Sequence, residues 1–175
     1  MTQGRDATVH ASAVKIGNTA VLIRGPSGSG KSRLAFELIM SGRSGQVPPA
    51  VLVGDDRVHL DTAGGELLVR PAAALAGLIE IRGLGIRQMD YVPEAVVGLV
   101  VDLAATDAER LPSDEALQVE IFGVSIPRIP IPAGFSPLPL VAAALTTTKS
   151  SPSVNPSSHC LKGIGNHITP TIATE

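Results

Sequence analysis

Tryptophan is absent, tyrosine occurs once and phenylalanine three times in 175 residues. A chain that is 44% hydrophobic but only 2% aromatic must fill its core with Val, Leu, Ile and Ala. That supply suits strands buried on both faces, as in a mostly parallel sheet. The single cysteine, Cys160, excludes an internal disulfide framework and fits a reducing compartment. No apolar run approaches the ~18 residues of a membrane-crossing helix, and the opening MTQGRDATVH lacks the apolar stretch of a secretion signal. The net charge of −2, with no basic stripe, argues against nucleic acid as a partner. The expectation is a soluble, cytoplasmic protein with one main domain and neither membrane nor nucleic-acid contacts.

Glycine, by contrast, is concentrated where it carries meaning. Gly25-Pro26-Ser27-Gly28-Ser29-Gly30-Lys31-Ser32 satisfies G-x-x-x-x-G-K-[ST] at every fixed position, after a strand-like run and before a helical one. Glycines let the backbone curl so that successive N–H groups point at an anion, which side chains would block. A helix beginning at about Lys31 aims the positive end of its dipole at the same point. Lys31 then reaches the outer phosphates as a point charge, and the Ser32 hydroxyl is placed to ligate Mg²⁺. The octet predicts nucleotide binding, with ATP and Mg²⁺ as the implied ligands.

Along the chain, ATVHASAVKIGNTAVLIRG predicts two short strands joined at Gly17-Asn18, the second feeding the loop. The helix is expected over 31–41, with Leu34, Leu38 and Ile39 on one face and Gly42 as its stop. AVLVGDD, GLIEIRGLGI and AVVGLVVDLA supply buried-strand candidates. LQVEIFGVSIPRIPIPAGFSPLPL carries repeated prolines and reads as edge strand or extended chain. The fold class is therefore α/β: a phosphate-loop domain over 1–145 with a Val/Leu/Ile sheet and few helices. Residues 146–175, rich in Ser, Thr, Pro and Asn, read as a disordered tail. His159, Cys160 and His167 in that tail match no zinc spacing.

A phosphate loop needs acidic partners. Asp55 and Asp56 end an apolar strand, where one carboxylate can serve the Mg²⁺ shell and the other accept a proton. Neighbours on a strand point to opposite faces, so their roles should differ; GDD is also turn composition. Glu80 and Arg82 alternate with Ile79 and Ile81, which puts both charges on one face, either at a site or neutralising each other on a sheet surface. His10, between Val9 and Ala11, is either a site residue or a satisfied sheet histidine.

Taken together, His10 in VHASAVKIGNTAVLIRG, the octet followed by LAFELI, VGDDRV, LIEIRGLGI and IPRIPIP resemble the catalytic domain of bacterial HPr kinase/phosphorylase. LIEIRGLGI is the most specific of these stretches. The resemblance implies serine phosphorylation of the carrier protein HPr, with possible phosphorolytic reversal, in a homo-oligomer that is hexameric in the family. It implies that Lys31 contacts phosphate, that Ser32 and Glu80 serve Mg²⁺, and that His10 assists. Asp56 becomes the base toward the serine, and Arg82 part of the charged surface around the reacting phosphate. Departures exist. The chain starts almost at the catalytic part, like the family's short forms, and the loop over 41–49 is long. Phe135 and Ser136 follow Gly134 where the family carries an arginine. From the loop alone, a small-metabolite kinase or a non-catalytic nucleotide-sensing module are the alternatives.

Overall fold

The computed structural model describes residues 8–149; the tail and its His159, Cys160 and His167 lie outside the described residues from 150 onward. Eleven strands form among these residues: β1 (Thr8–Val9), β2 (Ser12–Ile16), β3 (Thr19–Arg24), β4 (Ala50–Gly54), β5 (Val58–Ala63), β6 (Glu66–Pro71), β7 (Leu78–Ile81), β8 (Gly85–Gln88), β9 (Ala95–Leu103), β10 (Gln118–Ile121) and β11 (Val124–Ile131). Two helices accompany them, α1 (Lys31–Arg43) and α2 (Pro137–Thr146).

The main sheet runs β1-β5-β6-β9-β3-β2-β4, with β11 also on β9 and β10 on β11. Only β3/β9 and β9/β11 are parallel. The sheet is thus mixed and largely antiparallel, not mostly parallel as composition suggested. Short turns explain this, because a two-residue loop can only join antiparallel strands. Gly64-Gly65 joins β5 to β6 and Phe122-Gly123 joins β10 to β11, all four residues at positive φ. Gly17-Asn18 joins β2 to β3, as read from the sequence. The aliphatic inference itself holds, because both faces are covered. Val14, Val21, Ile23 and Val101 pack with Leu34 and Leu38 of α1 and Val141 of α2. Leu22, Val53 and Val100 pack on the other face with Val58, Leu67 and Val69 of the β5–β6 hairpin.

Three local expectations change. Gly42 does not end α1, which runs on to Arg43. A Cβ at residue 42 would lie 2.7 Å from the Ala50 nitrogen, so this glycine is a close-packing contact between α1 and β4. The β7–β8 hairpin is a separate two-stranded sheet outside the main one; in β7 only Ile79 is fully buried. The stretch SPLPL is helical, since Ser136 stands at the N-cap and Pro137 at the first position, where a missing N–H costs nothing. Prolines in β11 fit as expected: Pro127 lies opposite β10 and Pro130 opposite β9, each half of the strand pairing on one side.

Candidate functional site

β2 and β4 flank β3 on one side, with β9 and then β11 on the other. β3, β9 and β11 run parallel, so their carboxyl ends lie at one edge, the usual ligand crevice of such sheets. A bidentate pair fixes that edge: Arg24 donates to both Asp102 oxygens at 2.7 and 2.8 Å. Arg128 Nε donates to Asp102 at 2.5 Å and its other nitrogens to Asp107 at 2.7 and 3.0 Å. Burial alone would push the Asp102 carboxyl up, but the hydrogen bonds from Arg24 and Arg128 outweigh it and hold the group below its ordinary range. These residues were not anticipated from the sequence. The available signal was a lone aspartate near the end of a long aliphatic strand.

The octet follows at once. Gly25 adopts φ 150, and a Cβ there would meet Ser29 Oγ at 2.7 Å and the Leu103 carbonyl at 3.0 Å. Gly28 and Gly30 also have positive φ, so the backbone curls as only glycine allows without strain. Ser29 Oγ is buried without a protein partner. Lys31 donates from Nζ to the carbonyls of Gly25 and Pro26 at 2.9 and 3.0 Å, bracing the loop across its base. Burial pushes its ammonium down from the ordinary lysine value, while Asp55 and Asp56 act the other way.

A cleft of about 750 Å³ opens over the loop. Ser27, Gly28, Ser29, Gly30, Lys31 and Ser32 line it, together with His10, Asp56, Glu80 and Arg82. Asp56 Oδ1 lies 3.2 Å from His10 Nε2, both side chains being substantially exposed. Arg82 Nη2 comes within 3.8 Å of where a Cβ on Gly28 would sit. Arg82 belongs to the β7–β8 turn and not to a strand face, yet it shares the cleft with Glu80.

Asp55 is the exception. It is 2% exposed and both oxygens are engaged, Oδ1 accepting from Ser12 Oγ at 2.5 Å and Oδ2 from the Glu80 backbone N–H at 3.1 Å. The sequence placed it among the metal ligands; in the structure it lies behind the cleft and ties β7 to the main sheet.

Among the described residues no group of three or more His, Cys, Asp or Glu side chains is placed to hold a metal ion. Ser32 and Glu80 nevertheless offer two hard oxygen donors beside an anion cradle. That set fits Mg²⁺, which is commonly held by one or two protein oxygens with the remaining positions filled by phosphates and water. The curled loop with its bracing lysine fits a polyphosphate equally. Among the described residues no helix is long and apolar enough to cross a membrane.

Known proteins resemble this chain over most of its length. The HPr Serine kinase C-terminal domain family matches residues 3–159. An HPr kinase/phosphorylase of Mycoplasma mycoides is 33% identical over 157 residues, covering 82% of this chain and 48% of its own length. One from Enterococcus faecalis is 41% identical over 138 residues, covering 71% of this chain and 42% of its own. The Hpr(Ser) kinase/phosphatase of Coxiella burnetii superposes with a TM-score of 0.62 at 29% identity, covering 80% of this chain and 93% of that one. The chain spans about half the length of the curated relatives it matches. With the family match extending over all the residues that line the cleft, the chain belongs to the HPr serine kinase C-terminal domain family.

Proposed function

We propose that the cleft transfers a phosphoryl group from ATP, bound with Mg²⁺, to a serine hydroxyl of the carrier protein HPr. One observation supports this above the others: a phosphate cradle, the oxygen pair Ser32 and Glu80, and the Asp56–His10 pair all line a single cleft. A serine hydroxyl is a poor nucleophile and needs an aligned base. Asp56 supplies one, and His10 at 3.2 Å orients the carboxylate and shares the proton it takes up. The backbone donors over 25–32 and Lys31 hold the phosphates and neutralise the charge that accumulates on them. Arg82, reaching over Gly28, adds a second positive charge where the reacting phosphate lies. Ser32 and Glu80 would hold the Mg²⁺, which would supply further charge neutralisation.

Transfer back from phosphoserine to phosphate uses the same groups in the reverse sense, with Asp56 returning the proton. The same proposal includes a homo-oligomer, hexameric by family resemblance, working in the cytoplasm without nucleic acid. Incubation of the chain with HPr and γ-labelled ATP tests the reading: label on an HPr serine is expected, dependent on Mg²⁺ and on Asp56. No label on HPr at any Mg²⁺ concentration overturns it, and label on a low-molecular-weight acceptor would point to a metabolite kinase.

A further inference from the structure

Phe36, Phe122, Phe135 and Tyr91 are the only aromatic side chains of Phe, Tyr or Trp type in the sequence, and two of them, Phe36 and Phe135, line the same cleft. Phe36 is half-buried on α1. Phe135, between β11 and α2, is 65% exposed. Leu84, Ile86, Leu111 and Phe122 are comparably exposed, but of the exposed large apolar side chains among the described residues Phe135 alone lines the cleft.

Strand order says what part of a ligand reaches it. β3 launches the phosphate loop. Asp56 follows β4 and His10 precedes β2, so both lie on one flank of β3; Phe135 follows β11, on the opposite flank. A polyphosphate lying across the loop with its reacting end toward Asp56 therefore directs its other end toward Phe135. In a nucleoside triphosphate that other end carries the base.

The geometry points to Phe135 as the stacking platform for the donor's nucleobase, with Phe36 as apolar backing. This rests on the proposed function in taking the loop's ligand to be a nucleoside triphosphate. Flat apolar rings hold any base by its π-face, a contact that discriminates little between bases. Strong discrimination needs buried polar groups that a wrong base leaves unpaired. The side chains nearest Phe135 and Phe36 in sequence do not provide them: Ser136 is exposed, and Glu37 is already paired with Arg33 at 2.8 Å. The subsite accepts adenine and guanine with little preference, and a ligand consisting of phosphates alone makes no use of it.

Calorimetric titration with Mg²⁺ and ATP, GTP or inorganic tripolyphosphate tests this on the wild type and on Phe135→Ala. The expected result is about fivefold or greater weakening for both nucleotides, the lower end of base–aromatic stacking, and no change for tripolyphosphate. Phe135→Trp introduces the chain's only tryptophan. Its emission should change on adding ATP or GTP and stay constant with tripolyphosphate. Equal weakening for tripolyphosphate, or nucleotide affinity untouched by Phe135→Ala, overturns the inference while leaving the phosphate loop's role intact. A wild-type chain that binds none of the three overturns both.

Discussion

Replacing Asp55 by Asn tests how the β7–β8 hairpin is held. The carboxylate is 2% exposed and accepts from two donors, Ser12 Oγ and the Glu80 N–H. An amide of the same shape has one acceptor oxygen and presents an NH₂ to the second donor. A hydrogen bond to a charged group is worth roughly 1.5–3 kcal/mol, and a buried donor left unpaired costs a similar amount. Because the Ser12 hydroxyl can rotate to accept from the NH₂, the amide oxygen stays on the Glu80 N–H; both bonds survive as neutral ones, and losing the charge from each costs about 2 kcal/mol in total. For a chain of this size that lowers Tm by roughly 4–8 °C. The second consequence is functional. This bond and the buried Ile79 hold β7 against the main body, so loosening the bond shifts the Glu80 side chain and weakens the Mg²⁺ dependence of nucleotide binding. Thermal unfolding without Mg²⁺ measures the first effect, and nucleotide titration at several Mg²⁺ concentrations the second. Glu80→Gln separates them: the side chain is exposed, so stability should stay within about 0.5 kcal/mol of wild type while Mg²⁺ dependence weakens. A D55N variant that melts with the wild type, or melts lower yet keeps wild-type Mg²⁺ dependence, refutes the clamp.

Asp56→Asn should keep Tm and nucleotide affinity, because Asn tolerates the left-handed backbone at φ 63 as well as Asp does; phosphoryl transfer should fall by about 100-fold or more, measured as initial rate on HPr. Gly42→Ala should destabilise despite raising helix propensity, because the new Cβ would lie 2.7 Å from the Ala50 nitrogen; overpacking of this kind costs roughly 1–3 kcal/mol, read by denaturant unfolding. Asp102 is held below its ordinary range, so its contribution to stability is present above its unfolded value and disappears as pH falls through and below that value. Stability of the wild type should drop below about pH 4, and Asp102→Asn should flatten that part of the pH–stability curve.

The phosphate loop was legible because everything that makes it is local: eight consecutive residues and the elements they join. The helix face was legible for the same reason, Leu34, Leu38 and Ile39 being buried as their spacing required. Strand direction was not. A continuous aliphatic run reports burial on two faces, and it reads the same whether the neighbour runs parallel or antiparallel. The turn pairs that decide direction were partly visible: Gly64-Gly65 is a hairpin signal, whereas Phe122-Gly123 puts a bulky residue at positive φ, where sequence rules expect Asn or Gly. LIEI looks the same as a central strand or a detached hairpin, and what separates the two is that β7 pairs with β8 alone. Ser136-Pro137 carried a helix start, masked by the prolines that precede it. The Arg24–Asp102–Arg128 network depended on residues 78 and 26 positions apart, a separation that no local pattern spans.

The aspartate pair shows how one dipeptide is divided between support and chemistry. Strand alternation alone would send the two side chains to opposite faces while keeping both on the sheet. The structure separates them by a turn instead. β4 stops at Gly54, Asp55 stays buried, and the Arg57 N–H donates back to the Asp55 carbonyl at 2.7 Å, closing a tight turn centred on Asp56. That turn holds Asp56 at φ 63, a left-handed conformation that aspartate enters more readily than most residues but still at a cost. Its carboxylate is thereby carried past the end of the strand to face His10 in the cleft. Relief of the strain by Asp56→Gly would remove the base along with it. The turn's backbone strain is tolerated because Asp55, fixed by Ser12 on one side and β7 on the other, leaves the chain no easier path.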